Sequence, residues 1–262
     1  MNLDNFKVVI LAGGLGTRIS EYTKEIPKPM IKIKNKPILI QILKIFIKYG
    51  INNFLIATGY KNQIINNYFL KNKNLIKILF RNKKKIKILF KLNNKICKIC
   101  LYFTGLKTMT GGRLKRVKDE LINKNSFMLT YGDGVANINI KNLIKFHLKK
   151  NSLATVTAVH PIARFGMIEL NKNNMVKTFK EKKQTKKDWI NGGFFVFKNE
   201  FLKYLKNDTT VLEGYPLEKV SKQKKLFAYK HKGFWMCMDT LRDKILLEKI
   251  LKKQFKIVKF SN

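Results

Sequence analysis

Carboxylates are scarce in this chain: 16 Asp and Glu face 55 Lys and Arg in 262 residues, a formal net charge of +39. Cysteine is scarcer, with three. So few thiols in so long a chain exclude a disulfide framework and predict reduced cysteines in a cytoplasmic setting. No apolar run is long enough to cross a bilayer. The opening MNLDNFK lacks a basic stretch followed by an apolar one, so no secretory signal is expected. Internal repeats and Gly/Ser linkers are missing too, which predicts a single domain over residues 1–262. At 45% hydrophobic, the chain can still build a large core.

An excess of base ordinarily points to nucleic acid. Here lysine is spread over the whole chain, far outnumbers arginine and accompanies abundant Ile and Asn. That is the pattern of AT-rich coding. A nucleic-acid reader clusters its charge, uses Arg at bases and interleaves aromatics. The densest run, Arg81 to Lys85, reads as a solvated loop or hairpin. Neither a specific nucleic-acid partner nor a membrane span is expected. Cys97 and Cys100 form CKIC, but no second Cys pair exists, and the stretch reads as a strand carrying structural thiols.

Periodicity alternates strands with helices, predicting a mostly parallel sheet covered on both faces. Strands are expected at Lys7–Leu11, Asn53–Thr58, Phe127–Tyr131, Ala154–His160 and Phe194–Lys198. Helices are expected from Ile38 to Tyr49, closed by Gly50, from Gly59-Tyr60 to about Phe69, over Ile140–Lys149 and over Leu241–Leu251. Residues 71–101, rich in Lys, Asn and Ile, read as a β insertion projecting from the sheet.

The chemistry concentrates near the start, in KVVILAGGLGTR from Lys7 to Arg18, followed by IPKPM. A buried strand runs into a loop of small residues. Gly13, Gly14 and Gly16 remove side chains that would keep a polyphosphate from the backbone, and successive N–H groups can form an anion nest. Arg18 adds a planar fork of donors. Lys28, between Pro27 and Pro29, adds a second cation on stiff chain. The loop lacks both the Gly-Lys-Ser/Thr ending of the ATPase phosphate loop and the spacing of the dinucleotide fingerprint. Asp133 follows the apolar strand FMLTY between Gly132 and Gly134, where open α/β sheets bind ligands. Asp between glycines is also a common turn former. Asp239, in GFWMCMDT, reads by itself as a helix N-cap.

GGLGTR followed by PKPM resembles the opening of the sugar-nucleotide pyrophosphorylases. The strings TMTGGRLKR (Thr108–Arg116), TYGDGV (Thr130–Val135), RFGMIEL (Arg164–Leu170), WINGGFFVF (Trp189–Phe197) and HKGFWMCMDTLRDK (His231–Lys244) resemble, in the same order, those of glucose-1-phosphate cytidylyltransferases. They cover most of the chain outside residues 71–101. The resemblance implies a Rossmann-like α/β/α sandwich with a mixed, mostly parallel sheet. It implies the reaction of CTP with α-D-glucose 1-phosphate to give CDP-glucose and pyrophosphate, with magnesium as cofactor. A homo-oligomer, a hexamer in this family, is implied as well.

Residue roles follow from the same resemblance. Leu11, Ala12, Gly13, Gly14 and Leu15, then Gly16, Thr17 and Arg18, match the nucleotide loop. Thr108, Arg113, Gly132 and Lys28 match the remaining nucleotide contacts. Glu181, Lys182, Asn191 and Glu213 match the sugar-phosphate side. Asp133 and Asp239 match the metal ligands, and Arg18, Lys28 and Asp133 carry the catalysis. TGGR is the expected cytosine marker. Two departures stand out: the family's Glu-Lys-Pro turn is Glu181-Lys182-Lys183, and the Asp usual two residues before the Gly of the TG pair is Phe103. The same chemistry on another sugar 1-phosphate is an alternative. So is a non-catalytic nucleotide-sugar binder, which the presence of Lys28, Asp133 and Asp239 disfavours.

Overall fold

The computed structural model describes residues 3, 6–122, 125–161, 166–180 and 188–259. The chain opens with strand β1 (Lys7–Ala12), the short helix α1 (Ser20–Thr23), a small hairpin of β2 (Lys32–Ile33) and β3 (Lys36–Pro37), and helix α2 (Ile38–Ile47). Then come β4 (Asn53–Thr58), α3 (Asn62–Leu70), β5 (Leu75–Arg81), β6 (Lys85–Leu92) and β7 (Lys95–Phe103). Helix α4 (Thr110–Arg116) leads to β8 (Ser126–Tyr131), β9 (Gly134–Ala136), α5 (Ile140–Lys150) and β10 (Ala154–Val159). The rest comprises β11 (Met167–Leu170), β12 (Val176–Lys180), β13 (Ile190–Lys198), α6 (Tyr215–Lys222), β14 (Leu226–Lys230), β15 (Trp235–Cys237) and α7 (Leu241–Lys259).

One nine-stranded sheet organises these elements, in the order β14-β10-β13-β8-β1-β4-β7-β6-β5. β1 pairs parallel with β4 and β8, β4 with β7, and β10 with β14. Only β13 and β6 run against their neighbours on both sides, and β5 returns antiparallel on β6. The mixed, mostly parallel sheet is therefore as expected.

Alternation along the strands divides the core between the two faces. Val8 and Ile10 of β1, with Phe54 and Ile56 of β4, join Phe46 of α2 and Phe69 of α3 in one cluster. Val9, Leu11, Leu55 and Ala57 join Leu114 of α4 and Val220 of α6 in the other. Both sheet faces are thus dry, which is why these strands read as continuous apolar runs. Helix boundaries follow local chemistry. Gly50, at φ +86°, ends the turn after α2, where only glycine is free of strain. Asn139 caps α5, its side chain accepting from the Asn142 N–H.

Residues 75–103 are β-structure, as expected, but they do not stand off the sheet. β7 pairs along its length with β4, and β6 and β5 extend the same sheet to its edge. Apolar residues on β6 explain this: Ile86, Ile88 and Phe90 are buried, and Phe90 packs edge-on against Phe69 of α3 at 5.1 Å between centroids. Cys97 and Cys100 lie on opposite faces of β7, one in each core cluster. They cannot bridge or share a metal, and burial pushes both thiols up to about 11. Among the described residues no helix is long and apolar enough to cross a membrane.

Candidate active site

A cleft of about 590 Å³ opens at the carboxyl ends of β1 and β8, where parallel strands leave a crevice for ligands. The end of β1 and the loop after it form its floor: Leu11, Ala12, Gly13, Gly14, Gly16, Thr17 and Arg18 all line it. Leu15 does not; it is 53% exposed. Gly16 sits at φ +71°, and a Cβ there would lie 2.8 Å from Thr23 Cγ2. A Cβ on Gly14 would meet nothing within 4 Å. Glycine at 16 therefore serves the fold, whereas glycine at 14 leaves room over the cleft.

Lys28 enters from a single 3-10 turn, Lys28–Met30, started by extended Pro27. Its Nζ donates to Asp133 Oδ2 and to Asp239 Oδ1, each at 2.6 Å. Arg18 Nη1 donates to the other oxygen of Asp239 at 2.7 Å. The Lys28 and Asp239 side chains are 12% and 10% exposed. Burial lowers the Lys28 pKa, but Asp133 and Asp239 outweigh it and raise it above the usual value. Burial likewise opposes the charge on Asp239, yet Lys28 and then Arg18 hold its carboxyl below the usual range.

Tertiary structure brings the two aspartates together. β9, directly after Asp133, pairs antiparallel with β15, with Cys237 opposite Gly134. The Met238 N–H then donates to the Asp133 carbonyl at 2.9 Å. Asp239 is not the cap of α7. Thr240 Oγ1 accepts from the Asp243 N–H, and Asp243 Oδ2 accepts from the N–H groups of Asp239 and Thr240, a reciprocal capping box. That arrangement leaves the Asp239 side chain for the cleft. Two carboxylates converging on one cation suit magnesium, which takes one or two carboxylates and completes its shell with water and phosphate oxygens. Among the described residues no cluster of three or more potential ligands exists, so an all-protein cage is absent there. Cys237 also lines the cleft; burial first, then Asp239 and Asp133, push its thiol up to about 12.

Thr108, Arg113 and Gly132 also reach the cleft, but Arg113 has other work. It is 4% exposed. Nη2 donates to the Gly13 carbonyl at 2.8 Å, and Nη1 to Thr104 Oγ1 and the Gly105 carbonyl, both at 2.8 Å. The guanidinium thus underpins the glycine loop, filling the space a Cβ on Gly13 would need. Burial, then Arg116, lower its pKa to about 10.

The glycines of TGGR have a packing reason. A Cβ on Gly111 would lie 2.8 Å from Thr210 Cγ2, and one on Gly112 would lie 2.3 Å from the Asp208 carbonyl. They let α4 dock against the 207–212 segment, which carries Glu213 into the cleft. Asn191 lines the cleft, with its Oδ1 accepting from the Gly193 N–H at 2.8 Å. Glu181 and Lys182 lie outside the described residues, as does Lys183.

Sequence reasoning gave no role to Tyr131 and Trp235, and took Thr110 only as part of TGGR; all three line the cleft. Trp235 Nε1 donates to the Gly192 carbonyl at 2.7 Å, tying β15 to the start of β13. Tyr131 lay inside a quoted motif, one residue before Gly132, where a strand's last residue faces the crevice.

The fold and this cleft define a nucleotide-handling transferase. A family model described as nucleotidyl transferase matches residues 7–241, and the chain belongs to that family. It is 42% identical over 248 residues to the glucose-1-phosphate cytidylyltransferase of Salmonella typhimurium (strain LT2), covering 94% of this chain and 96% of that protein. It is 41% identical over 246 residues to the probable glucose-1-phosphate cytidylyltransferase of Bacillus subtilis (strain 168), covering 93% and 95%. Among solved structures, HddC from Yersinia pseudotuberculosis shares the fold with a TM-score of 0.69 at 22% identity, covering 94% of this chain and 99% of that one.

Proposed function

We propose that this protein joins CTP and α-D-glucose 1-phosphate to give CDP-glucose and pyrophosphate, with magnesium as cofactor. The observation that carries this reading is the convergence of Lys28, Asp133 and Asp239 beside the glycine loop, in a chain 42% identical to a glucose-1-phosphate cytidylyltransferase. A phosphate oxygen of the sugar 1-phosphate forms a bond to the α-phosphorus of CTP, and the bond from that phosphorus to the bridging oxygen breaks. The nucleophile is already an anion, so no general base is needed. The obstacle is repulsion between anions, and cationic donors held in place lower it most effectively.

In this reading Gly13, Gly14 and Gly16 admit the triphosphate to the loop's backbone N–H groups. Arg18, whose side chain is 71% exposed, holds the leaving pyrophosphate. Lys28 neutralises charge on the α-phosphate, and Asp133 with Asp239 holds the metal. Magnesium bound there supplies charge neutralisation on the phosphates and a template for in-line geometry. Thr108 and Gly132 border the nucleotide, Arg113 acts from beneath the loop, and Asn191 and Glu213 border the sugar.

The test is pyrophosphate release with magnesium, crossing CTP, UTP, dTTP, ATP and GTP against several sugar 1-phosphates. The expected result is release with CTP and glucose 1-phosphate. Release with CTP and another sugar 1-phosphate alone would replace the substrate. Silence throughout, from folded protein, would overturn the reaction.

A further inference from the structure

One wall of the cleft carries a hydrogen-bond chain in which donor directions are forced. The Gly193 N–H donates to Asn191 Oδ1 at 2.8 Å. The Tyr131 hydroxyl donates to Glu213 Oε1, a carboxylate oxygen that can only accept. From the other side, the Leu212 N–H donates to Thr110 Oγ1 at 2.9 Å. Thr110 then spends its only hydrogen on Glu213 Oε2 at 2.8 Å. A hydroxyl has one hydrogen to give, so both chains end on the same carboxylate.

Packing keeps the donors in place. A Cβ on Gly193 would lie 2.7 Å from the Tyr131 ring, so the backbone presses directly on it. Phe195 meets the ring edge-on at 6.0 Å between centroids. Glu213 itself is exposed on the cleft. With one lone pair of each oxygen engaged, a free acceptor position remains on each.

We propose that Tyr131 and Thr110 are positioning residues that lock the Glu213 carboxylate as a two-oxygen acceptor for a pair of neighbouring hydroxyls on the sugar 1-phosphate. The inference rests on the reaction proposed above. It assigns the Thr of TGGR to the sugar, although that motif was expected to mark the base. Free rotation of Glu213 would spread its acceptors over many directions; two fixed donors confine them to one. A site built to bind a hydroxyl rejects an analogue lacking it much more strongly than an apolar pocket does.

The experiment is steady-state kinetics of wild type, Tyr131→Phe, Thr110→Val and Thr110→Ser with CTP against glucose 1-phosphate and its monodeoxy analogues. Melting temperatures are measured for each. For Tyr131→Phe and Thr110→Val the expected result is a KM for glucose 1-phosphate raised roughly 10-fold, the scale of one lost hydrogen bond to a charged group. Their kcat and KM for CTP should stay within about 3-fold, a difference of under 1 kcal/mol. Two of the analogues should be poor substrates for wild type, and their penalty should shrink in the variants. Thr110→Ser should restore wild-type behaviour.

Equal deoxy penalties in wild type and both variants would overturn the inference while leaving the reaction intact. A raised KM for CTP with an unchanged KM for the sugar would overturn it too, turning Glu213 toward the base. If the variants lose stability and all kinetic constants together, the hydroxyls are merely structural and the inference fails. Wild type inactive on glucose 1-phosphate with CTP would overturn the reaction first and the inference with it.

Discussion

Replacing Lys28 with methionine isolates the central electrostatic feature of the cleft. The change keeps the side chain's length and removes its charge, leaving Asp133 and Asp239 facing each other. Both were 2.6 Å from the ammonium. Breaking a buried pair by removing one partner costs about 3–5 kcal/mol. Asp133 is 26% exposed and Arg18 still touches Asp239, so the low end, about 3 kcal/mol, is expected. For a domain of this size that lowers Tm by roughly 6–12 °C.

Two further signatures separate this cause from a generic core defect. The first is magnesium. With the ammonium gone, magnesium can take its place between the two carboxylates, and saturation at about 100 Kd returns about 2.7 kcal/mol. Thermal melts of Lys28→Met should therefore rise with magnesium, while wild-type melts respond far less. The second is pH. In wild type the Asp239 pKa is depressed, so its contribution is complete above the unfolded carboxyl value and fades as pH falls through the folded one. In the variant, protonation relieves the repulsion, so the gap to wild type narrows as pH falls toward about 4. A variant melting like wild type at pH 7, with the same magnesium response, would refute the bridging role of Lys28.

The two loop glycines give a paired test. Gly16→Ala forces an L side chain to φ +71° against Thr23 and should cost about 1 kcal/mol or more in chemical denaturation. Gly14→Ala meets no protein atom and should leave stability within about 0.5 kcal/mol, so a raised KM for CTP would report the nucleotide itself. Arg113→Met should lower Tm and weaken CTP binding together, because it orphans the Gly105 carbonyl and leaves the Gly13 carbonyl with only the Tyr60 N–H; loss of CTP binding with unchanged Tm would show that its role is direct contact. Finally, His147 is fully buried between Ser152 and Thr155, and burial lowers its pKa from 6.5 to about 4. Its neutral form is favoured by folding, so stability is full above pH 6.5 and declines as pH falls toward 4, by about 3 kcal/mol. His147→Asn should flatten that acid limb in melts taken across the range.

Much of the fold and loop was legible because it is local. The strand at Lys7, the glycines after it and the Lys between two prolines act within a few residues of one another, and their types declare their use. The edge strands were misplaced in space because Ile86, Ile88 and Phe90 carry a core face whose cover, α3, only folding supplies. Arg113 reads as a cleft cation in a string, yet the carbonyls it holds come from Gly13 and Gly105, on separate loops.

By itself, the sequence determined the alternating α/β class and placed a glycine loop with Arg18 and Lys28 at the end of the first strand. Those depend on periodicity and short spacings, which backbone geometry converts directly into strands, helices and nests. The tertiary structure alone decided that Asp239 meets Asp133 across the β9–β15 pair, and that Tyr131 and Thr110 share Glu213. These are contacts between residues scores of positions apart, and their geometry exists only once the sheet has set its strand order.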